Sequence, residues 1–143
     1  MDPREFQELA SKLARGSGAA ELRTAVSRAY YAVYNLSTQL LTAMDFPPGE
    51  GPGGHGQVVK LLSNSGDLEV INFGSQLGTL HGKRIRADYR LDKMDVENPK
   101  TVQALVKQAA QMISICDSCS AEPRHSQVKK GIQAYMNKIS PAS

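Results

Sequence analysis

The chain lacks tryptophan altogether and has only two cysteines among its 143 residues. Two cysteines are too few for a disulfide scaffold, and such sparse use is typical of a reducing compartment. No run approaches the roughly 18 apolar residues that a membrane-spanning helix needs. The N-terminus has no apolar stretch behind a basic start, so we do not expect a signal peptide. The net charge of +3 is small and does not by itself indicate a nucleic-acid-binding protein.

Segments that alternate apolar and polar residues are also missing, which argues against β-strands. Apolar residues recur instead every three or four positions, most clearly from Ala19 to Met44, and this spacing predicts a long amphipathic helix. Its apolar stripe consists of Leu22, Val26, Ala29, Val33, Leu36, Leu40 and Met44. With 41% apolar residues, a chain of this length can bury a core of its own.

Glycines, prolines and capping residues divide the rest of the sequence into further helices. We predict helices from Pro3 to about Arg15, from His55 to Ser63, after Asp67, after Pro99 and after Pro123, with a loop over Phe46–Gly56 and an irregular charged segment after Tyr89. Helices with one apolar stripe bury it against each other. The prediction is therefore all-α: an up-and-down four-helix bundle with one or two short extra helices. Residues 1–120 form this bundle, and residues 121–143 form a C-terminal amphipathic helix packed on it or extending from it.

Several motifs invite a chemical interpretation but have a simpler structural one. The segment Gly51–Gly56 lacks the Gly-Lys-Ser/Thr ending and the preceding strand of a phosphate loop, so we predict a connecting loop. Cys116 and Cys119 lie on an apolar stripe, without the further ligands of a zinc site, and we expect them to be buried. We identify no metal site and no cofactor motif. The basic clusters Lys83–Arg90 and Arg124–Lys138 are either solvated helix faces or phosphate contacts.

The long helix also has a polar face of unusual composition. Arg28, Tyr31 and Asn35 lie opposite the apolar stripe, and Tyr30 and Tyr34 add two more tyrosines nearby. The face is either ordinary exposed surface or a contact for a partner or ligand, because interfaces and nucleotide pockets favour tyrosine and arginine. A solvent-facing run from Tyr30 to Tyr34 would be costly to expose, which predicts a homodimer built around this helix.

Arg84 continues the apolar register of Leu77 and Leu80, so we expect its side chain to lean toward the bundle. A half-buried guanidinium needs an acceptor, and Asp88 lies four residues further on, on the same helix face. The two form either a structural salt bridge or part of a site for a phosphate or a partner's carboxylate. We predict that they lie within hydrogen-bonding reach of each other or of the long helix.

Three segments, in order along the chain, resemble motifs of one branch of the HEPN domain family. Ser27–Tyr34, with the sequence Ser-Arg-Ala-Tyr-Tyr-Ala-Val-Tyr, is similar to the signature helix of that branch. His55–Val58 resembles the segment that opens its next helix, and Arg84–Tyr89 resembles its Arg-x-x-Ala-Asp-Tyr motif. The resemblance spans roughly Pro3 to Ser120. It implies a helical bundle, often a homodimer, in the cytoplasm of a prokaryote.

The resemblance also implies a function. Members of the family are paired with a small nucleotidyltransferase in toxin–antitoxin-like systems, or act as metal-independent ribonucleases in which four to six residues separate an arginine from the histidine that follows it. No histidine of this chain has an arginine at that spacing. The residue at that distance from Arg28 is Asn35, whose amide cannot serve as a general base.

We therefore predict a dimeric module that binds a partner protein, such as a nucleotidyltransferase, or a nucleotide or RNA, without catalysis. The predicted ligand-binding residues are Arg28, Tyr31, Asn35, Arg84 and Asp88. The alternative is a metal-independent ribonuclease toxin in which His81 acts with Arg84, the two candidates for catalysis.

Overall fold

A computed structural model describes residues 1–140 of the chain, and across that range it is helical with no strand. The predicted all-α class is confirmed. The helices are α1 (Arg4–Leu13), α2 (Ala19–Ala43), α3 (Gly54–Ser63), α4 (Leu68–Tyr89), α5 (Pro99–Cys119) and α6 (Arg124–Ile139), with a 3₁₀ turn at Asp95–Glu97 between α4 and α5. Within the described range, no helix combines the length and apolarity needed to cross a bilayer.

The helix boundaries follow local capping chemistry. Asp67 Oδ1 accepts hydrogen bonds from the backbone N–H groups of Glu69 and Val70, at 3.0 and 3.1 Å. Asn98 Oδ1 accepts from the backbone N–H of Thr101 at 3.1 Å. Each cap satisfies amides that a helix start leaves without an intrahelical partner, and so α4 and α5 begin where the sequence predicts.

The predicted loop over Phe46–Gly56 is too long by three residues. The first turn of α3 already winds at Gly54, whose N–H donates to the carbonyl of Gly51 at 3.1 Å. The N–H of Gln57 continues the turn by donating to Gly53 at 3.2 Å. Glycine has a low helix propensity. The start of a helix tolerates glycine, because few residues there have to adopt the helical conformation. The predicted connecting loop therefore ends at Gly53, and the last three residues of the glycine-rich segment belong to α3.

Contacts divide the chain into two compact units. Unit 1 comprises residues 1–36 and 77–113, and unit 2 comprises residues 37–76 together with those from Ser114 onward. Helices α2, α4 and α5 each contribute residues to both. The predicted division after residue 120 stays a prediction, and its residues 141–143 lie outside the described part of the chain.

Each unit has a buried apolar core that includes most of the residues of the predicted apolar stripes. In unit 1 the buried apolar residues include Leu22, Val26, Ala29, Val33, Leu77, Leu80, Val102 and Ala109. In unit 2 they include Leu40, Met44, Val58, Leu62, Phe73, Cys116, Cys119, Val128 and Ile132. Both cysteines are free thiols in this core, and burial raises the pKa of the Cys119 thiol. Within the described residues, no cluster of histidine, cysteine and acidic side chains could hold a metal ion.

Helix α6 packs within unit 2 through its N-terminal half. Arg124 pairs with Asp67 at 2.9 Å and with Glu69 at 2.7 Å, and these carboxylates raise the pKa of its guanidinium. Lys129 pairs with Asp45 at 2.7 Å. Two cations of the predicted basic tail are therefore engaged by carboxylates of the same unit, which favours a structural role for them. Farther along the helix, Ile139 is 51% exposed and borders an apolar groove of about 340 Å³.

Unit 1 contains a buried arginine, Arg23, whose burial the apolar periodicity of α2 does not predict. Arg23 is 8% exposed, although it belongs to neither the apolar stripe nor the polar face of α2. Its guanidinium donates to the Glu97 carboxylate at 2.5 and 2.9 Å. It also donates, at 2.8 to 3.2 Å, to the carbonyls of Arg86, Ala87, Arg90, Leu91 and Lys93. Arg23 thus fixes the C-terminal end of α4 and the turn that follows it.

Candidate functional site

Two arginines of unit 1 share the ring of Tyr31. The guanidinium carbon of Arg28, on α2, lies 5.1 Å from the centre of that ring, and the guanidinium carbon of Arg84, on α4, lies 5.3 Å from it. Arg28 also lies over the ring of Phe6, on α1, at 5.0 Å. Because the faces of aromatic rings attract cations, Tyr31 brings two positive charges together. We use the name arginine–tyrosine cluster for Ser27, Arg28, Tyr31, Arg84 and Asp88.

A chain of hydrogen bonds also joins the two arginines. Arg28 Nη2 donates to Ser27 Oγ at 3.3 Å, and the Ser27 hydroxyl donates to Asp88 Oδ2 at 3.2 Å. Arg84 Nη1 reaches the same Asp88 oxygen at 3.5 Å. The predicted proximity of Arg84 and Asp88 to each other and to α2 is confirmed. Their contact is nevertheless long for a charge-assisted hydrogen bond.

The cluster has more positive than negative charge. It holds two guanidinium groups and one carboxylate, that of Asp88. Within residues 1–140, Arg28 forms no ion pair, and its hydrogen bond goes to the uncharged Ser27 hydroxyl. Arg84 Nε is buried and has no hydrogen-bond acceptor within the same range. The cluster therefore has donors to offer an anion, which arginine binds by charge and by paired N–H groups.

An open groove of about 410 Å³ gives access to the Arg28 side of the cluster. It is lined by Phe6, Arg28, Tyr31, Tyr34 and Asn35. The structure thus brings Asn35 beside Arg28 and Tyr31, as the helical spacing predicts. The Asn35 Nδ2 group donates to the backbone carbonyl of Tyr31 at 2.7 Å. Its second amide hydrogen and its oxygen are the groups that it can offer to a ligand.

The expectation of a solvent-facing run from Tyr30 to Tyr34 is wrong. Tyr30 is 2% exposed, and Ala32 and Val33 are fully buried within the protein. The Tyr30 ring contacts those of Tyr31 and Tyr34, with centres 5.2 and 5.7 Å apart. Burial raises the pKa of Tyr30 well above its ordinary range. The run faces the core because Val33 belongs to the apolar stripe and Tyr30 lies next to it on the helix. Since the run is not exposed to solvent, the cost of exposing it is no argument for a dimer.

His81 also contacts Tyr30 and does not line the groove. The two rings are 5.3 Å apart, and the Arg84 guanidinium lies over the same Tyr30 ring at 5.4 Å. Burial lowers the pKa of His81, and the positive charge of Arg84 lowers it further. The imidazole is therefore neutral at pH 7 and able to accept a proton, as a general base must. Arg28 and Asn35 line the groove, whereas His81 contacts Tyr30, which is not one of the residues lining it.

Two members of the site escaped the sequence analysis. Ser27 links Arg28 to Asp88. A serine next to an apolar stripe does not by itself indicate a functional residue, because serine is common at such positions. Phe6 contacts Arg28 from α1. The two residues belong to different helices, so no helical period relates their positions. Both are detected only when the helices are placed in space, although Ser27 does belong to the segment that resembles the HEPN signature helix.

Comparison of the chain with models of protein families, with curated proteins and with solved structures gives no significant match in any of the three. The resemblance to HEPN domains therefore stays a hypothesis. It rests on the three motifs, two of which, Ser27–Tyr34 and Arg84–Tyr89, supply the residues of the arginine–tyrosine cluster.

Proposed function

We propose that unit 1 binds the phosphate of a nucleotide or of single-stranded RNA at the arginine–tyrosine cluster and does not cleave it. The observation that carries this proposal is the pair of guanidinium groups that share the Tyr31 ring, 5.1 and 5.3 Å from its centre. A phosphate group offers several acceptor oxygens to arginine N–H groups, and the phosphomonoester of AMP carries more charge than the single carboxylate in the cluster.

The groove beside Arg28 supports a nucleotide rather than a bare phosphate. Tyr34 and Phe6 line it and offer aromatic surface, on which nucleobases stack irrespective of their sequence. Asn35 offers a donor and an acceptor to a base edge or a ribose hydroxyl. The Tyr31 ring contacts two guanidinium groups, so we assign it the task of positioning them rather than of stacking on a base.

Binding without turnover follows from the groups around the groove. The side chains that line it include no histidine and no carboxylate, the usual general bases, and Asn35 stands where the family's ribonucleases have histidine. The alternative, a metal-independent ribonuclease, is favoured by one contact, since His81 and Arg84 meet at the Tyr30 ring. Neutral His81 would then take the proton of a ribose hydroxyl, and Arg84 would stabilise the charge on phosphate.

The HEPN resemblance extends the proposal to architecture and partners. On this basis we propose that the long helices form an up-and-down four-helix bundle and that the protein is a homodimer, with a small nucleotidyltransferase as a candidate partner. Light scattering at micromolar concentration is expected to give the mass of two chains, and Tyr31→Glu is expected to weaken association. A mass of 15.5 kDa, that of one chain, would exclude the dimer under these conditions.

Binding of AMP and of a short, fluorescently labelled single-stranded RNA tests the proposed site. Arg28→Ala is expected to weaken both about tenfold or more, because a hydrogen bond to a charged group contributes about 1.5–3 kcal/mol. For the RNA, loss of one phosphate contact is expected to reduce the slope of log K against log salt concentration by about 0.7. The measurement is fluorescence anisotropy at several salt concentrations, with calorimetry for AMP.

Arg15→Ala is the matched control. It removes the same charge from unit 1, at an exposed position outside the groove, and is expected to leave affinity nearly unchanged. Equal weakening by both variants would mean that only net charge matters and would contradict a defined site. RNA incubated without metal is expected to stay intact. Cleavage that disappears in His81→Ala would instead establish the ribonuclease.

A further inference from the structure

We infer that Asp88 competes with the ligand's phosphate for Arg84, so that the site is partly occupied by the protein's own carboxylate until a ligand displaces it. This inference rests on the proposed function, because it concerns how the same cluster takes its ligand. If Asp88 contacted the ligand directly, removing it would weaken binding. The inference predicts instead that removing the Asp88 charge strengthens binding.

The first support is the looseness of the Arg84–Asp88 pair. Their closest atoms are 3.5 Å apart, with 14% of the Arg84 side chain and 29% of the Asp88 side chain exposed. Elsewhere in the protein, half-buried pairs of the same kind are tight: Arg23–Glu97 at 2.5 Å and Arg124–Asp67 at 2.9 Å. A carboxylate that holds a guanidinium so loosely is readily replaced by a better acceptor.

The second support is that Arg84 is held in place without Asp88. Its guanidinium carbon lies 5.4 Å from the centre of the Tyr30 ring, 5.3 Å from that of Tyr31 and 5.9 Å from that of Tyr89. Cation–aromatic contacts of this kind persist when the carboxylate is removed. Removing Asp88 should therefore free the donors of Arg84 and not release the side chain from the cluster.

The third support is the incomplete hydrogen bonding of Arg84. Nη1 is directed at Asp88, whereas Nε is buried and lacks an acceptor within residues 1–140. A buried donor without an acceptor is costly. A phosphate has more acceptor oxygens than a carboxylate and can bind two N–H groups of one guanidinium. When a phosphate takes the place of Asp88, Arg84 gains a second hydrogen bond, and with AMP it also gains a partner of larger charge.

Asp88→Asn tests the inference, because it removes the charge but keeps an acceptor for the Ser27 hydroxyl. We expect AMP and the labelled RNA to bind about two- to fivefold more tightly, the range that corresponds to loss of an exposed ion pair. For RNA, the salt slope should steepen by up to about 0.7, since one more arginine becomes available for a phosphate.

Asp92→Asn is the matched control for net charge. The Asp92 side chain is 77% exposed, and its ion pair with neighbouring Lys93 is long, at 3.9 Å, so affinity should stay unchanged in this variant. Circular dichroism and thermal melting establish that each variant is folded. An Asp88→Asn protein that is folded but binds less tightly than the wild type would show that Asp88 positions Arg84, which overturns the inference while leaving the proposed function intact.

A measurement on the unchanged protein covers the case in which Asp88→Asn does not fold. In protein with ¹⁵N-labelled arginine, the Nε–H resonance of Arg84, assigned with Arg84→Lys, should shift as AMP saturates the site. If AMP binds and this resonance does not move, Arg84 does not exchange Asp88 for phosphate and the inference is wrong. If neither AMP nor RNA binds the wild type or either variant, the proposed function fails and the inference fails with it.

Discussion

Replacing Arg23 with methionine is expected to lower the free energy of unfolding by about 3–5 kcal/mol, the range for removing one partner of a buried ion pair. For a chain of this size the melting temperature should fall by roughly 10 °C or more. Methionine keeps most of the apolar stem of arginine, so the effect reports on the guanidinium. Thermal melting followed by circular dichroism, together with urea unfolding, measures it.

The physical reason is the number of acceptors that depend on this one group. Without the guanidinium, the Glu97 carboxylate is left with only 18% of its side chain exposed. Five backbone carbonyls between Arg86 and Lys93 also lose a donor. The last carbonyls of a helix have no partner within the helix, and Arg23 supplies donors to them in addition to the backbone N–H groups of Arg90 and Lys93, which bond the carbonyls of Arg86 and Arg90 at 3.0 Å.

The backbone carbonyls distinguish Arg23 from a simple buried ion pair. When both charges of a simple buried pair are removed, the stability lost by removing only one of them is often recovered. Here Glu97→Gln combined with Arg23→Met should recover only part of the loss, since the carbonyls remain without their donor. Arg86→Ala serves as control, because its 3.5 Å pair with Asp95 is exposed and its loss should cost less than about 1 kcal/mol. Full recovery in the double variant would mean that the carbonyl contacts contribute nothing.

The helices were largely predictable from the sequence because their signals are local. Asp67 and Asn98 cap the helices that follow them by bonding amides two or three residues away. The apolar stripe of α2 requires only the period of the helix. The exception is the loop before α3, which was predicted to extend to Gly56 although the helix begins at Gly54, because glycine signals a break in the sequence but does not prevent a helix from starting.

The site was predictable only where its contacts are local as well. Arg84 and Asp88 are one helical turn apart, so register alone placed them together. The contacts of Arg23 with Glu97 and of Ser27 with Asp88 span 74 and 61 residues, and no helical period connects such positions. Tyr30 is the exception: its exposure was predicted wrongly although the signal is local, because Tyr30 lies three residues before Val33 of the apolar stripe.

Gly131→Ala is expected to destabilise the protein by about 1–3 kcal/mol, the usual range for forcing extra atoms into a packed site. Helix α6 passes so close to the turn before α4 that a methyl group at Gly131 would overlap the backbone carbonyl oxygen of Ser65. It would also lie 2.6 Å from the carbonyl carbon of that residue. Backbone atoms cannot move aside as a flexible side chain can, so α6 itself must shift.

The shift should be visible in α6 before the whole protein unfolds. Hydrogen exchange is expected to speed up over Arg124–Ile139, because the displaced helix loses the packing of Val128 and Ile132 that buries its apolar side. Gly56→Ala is the matched control in the same unit. A methyl group there meets nothing within 4 Å, and alanine favours a helix over glycine by about 0.5–1 kcal/mol, so this variant should melt at the same temperature as the wild type or higher. If Gly131→Ala also melted higher, helix propensity alone would govern both positions, and α6 could not lie against the Ser65 backbone.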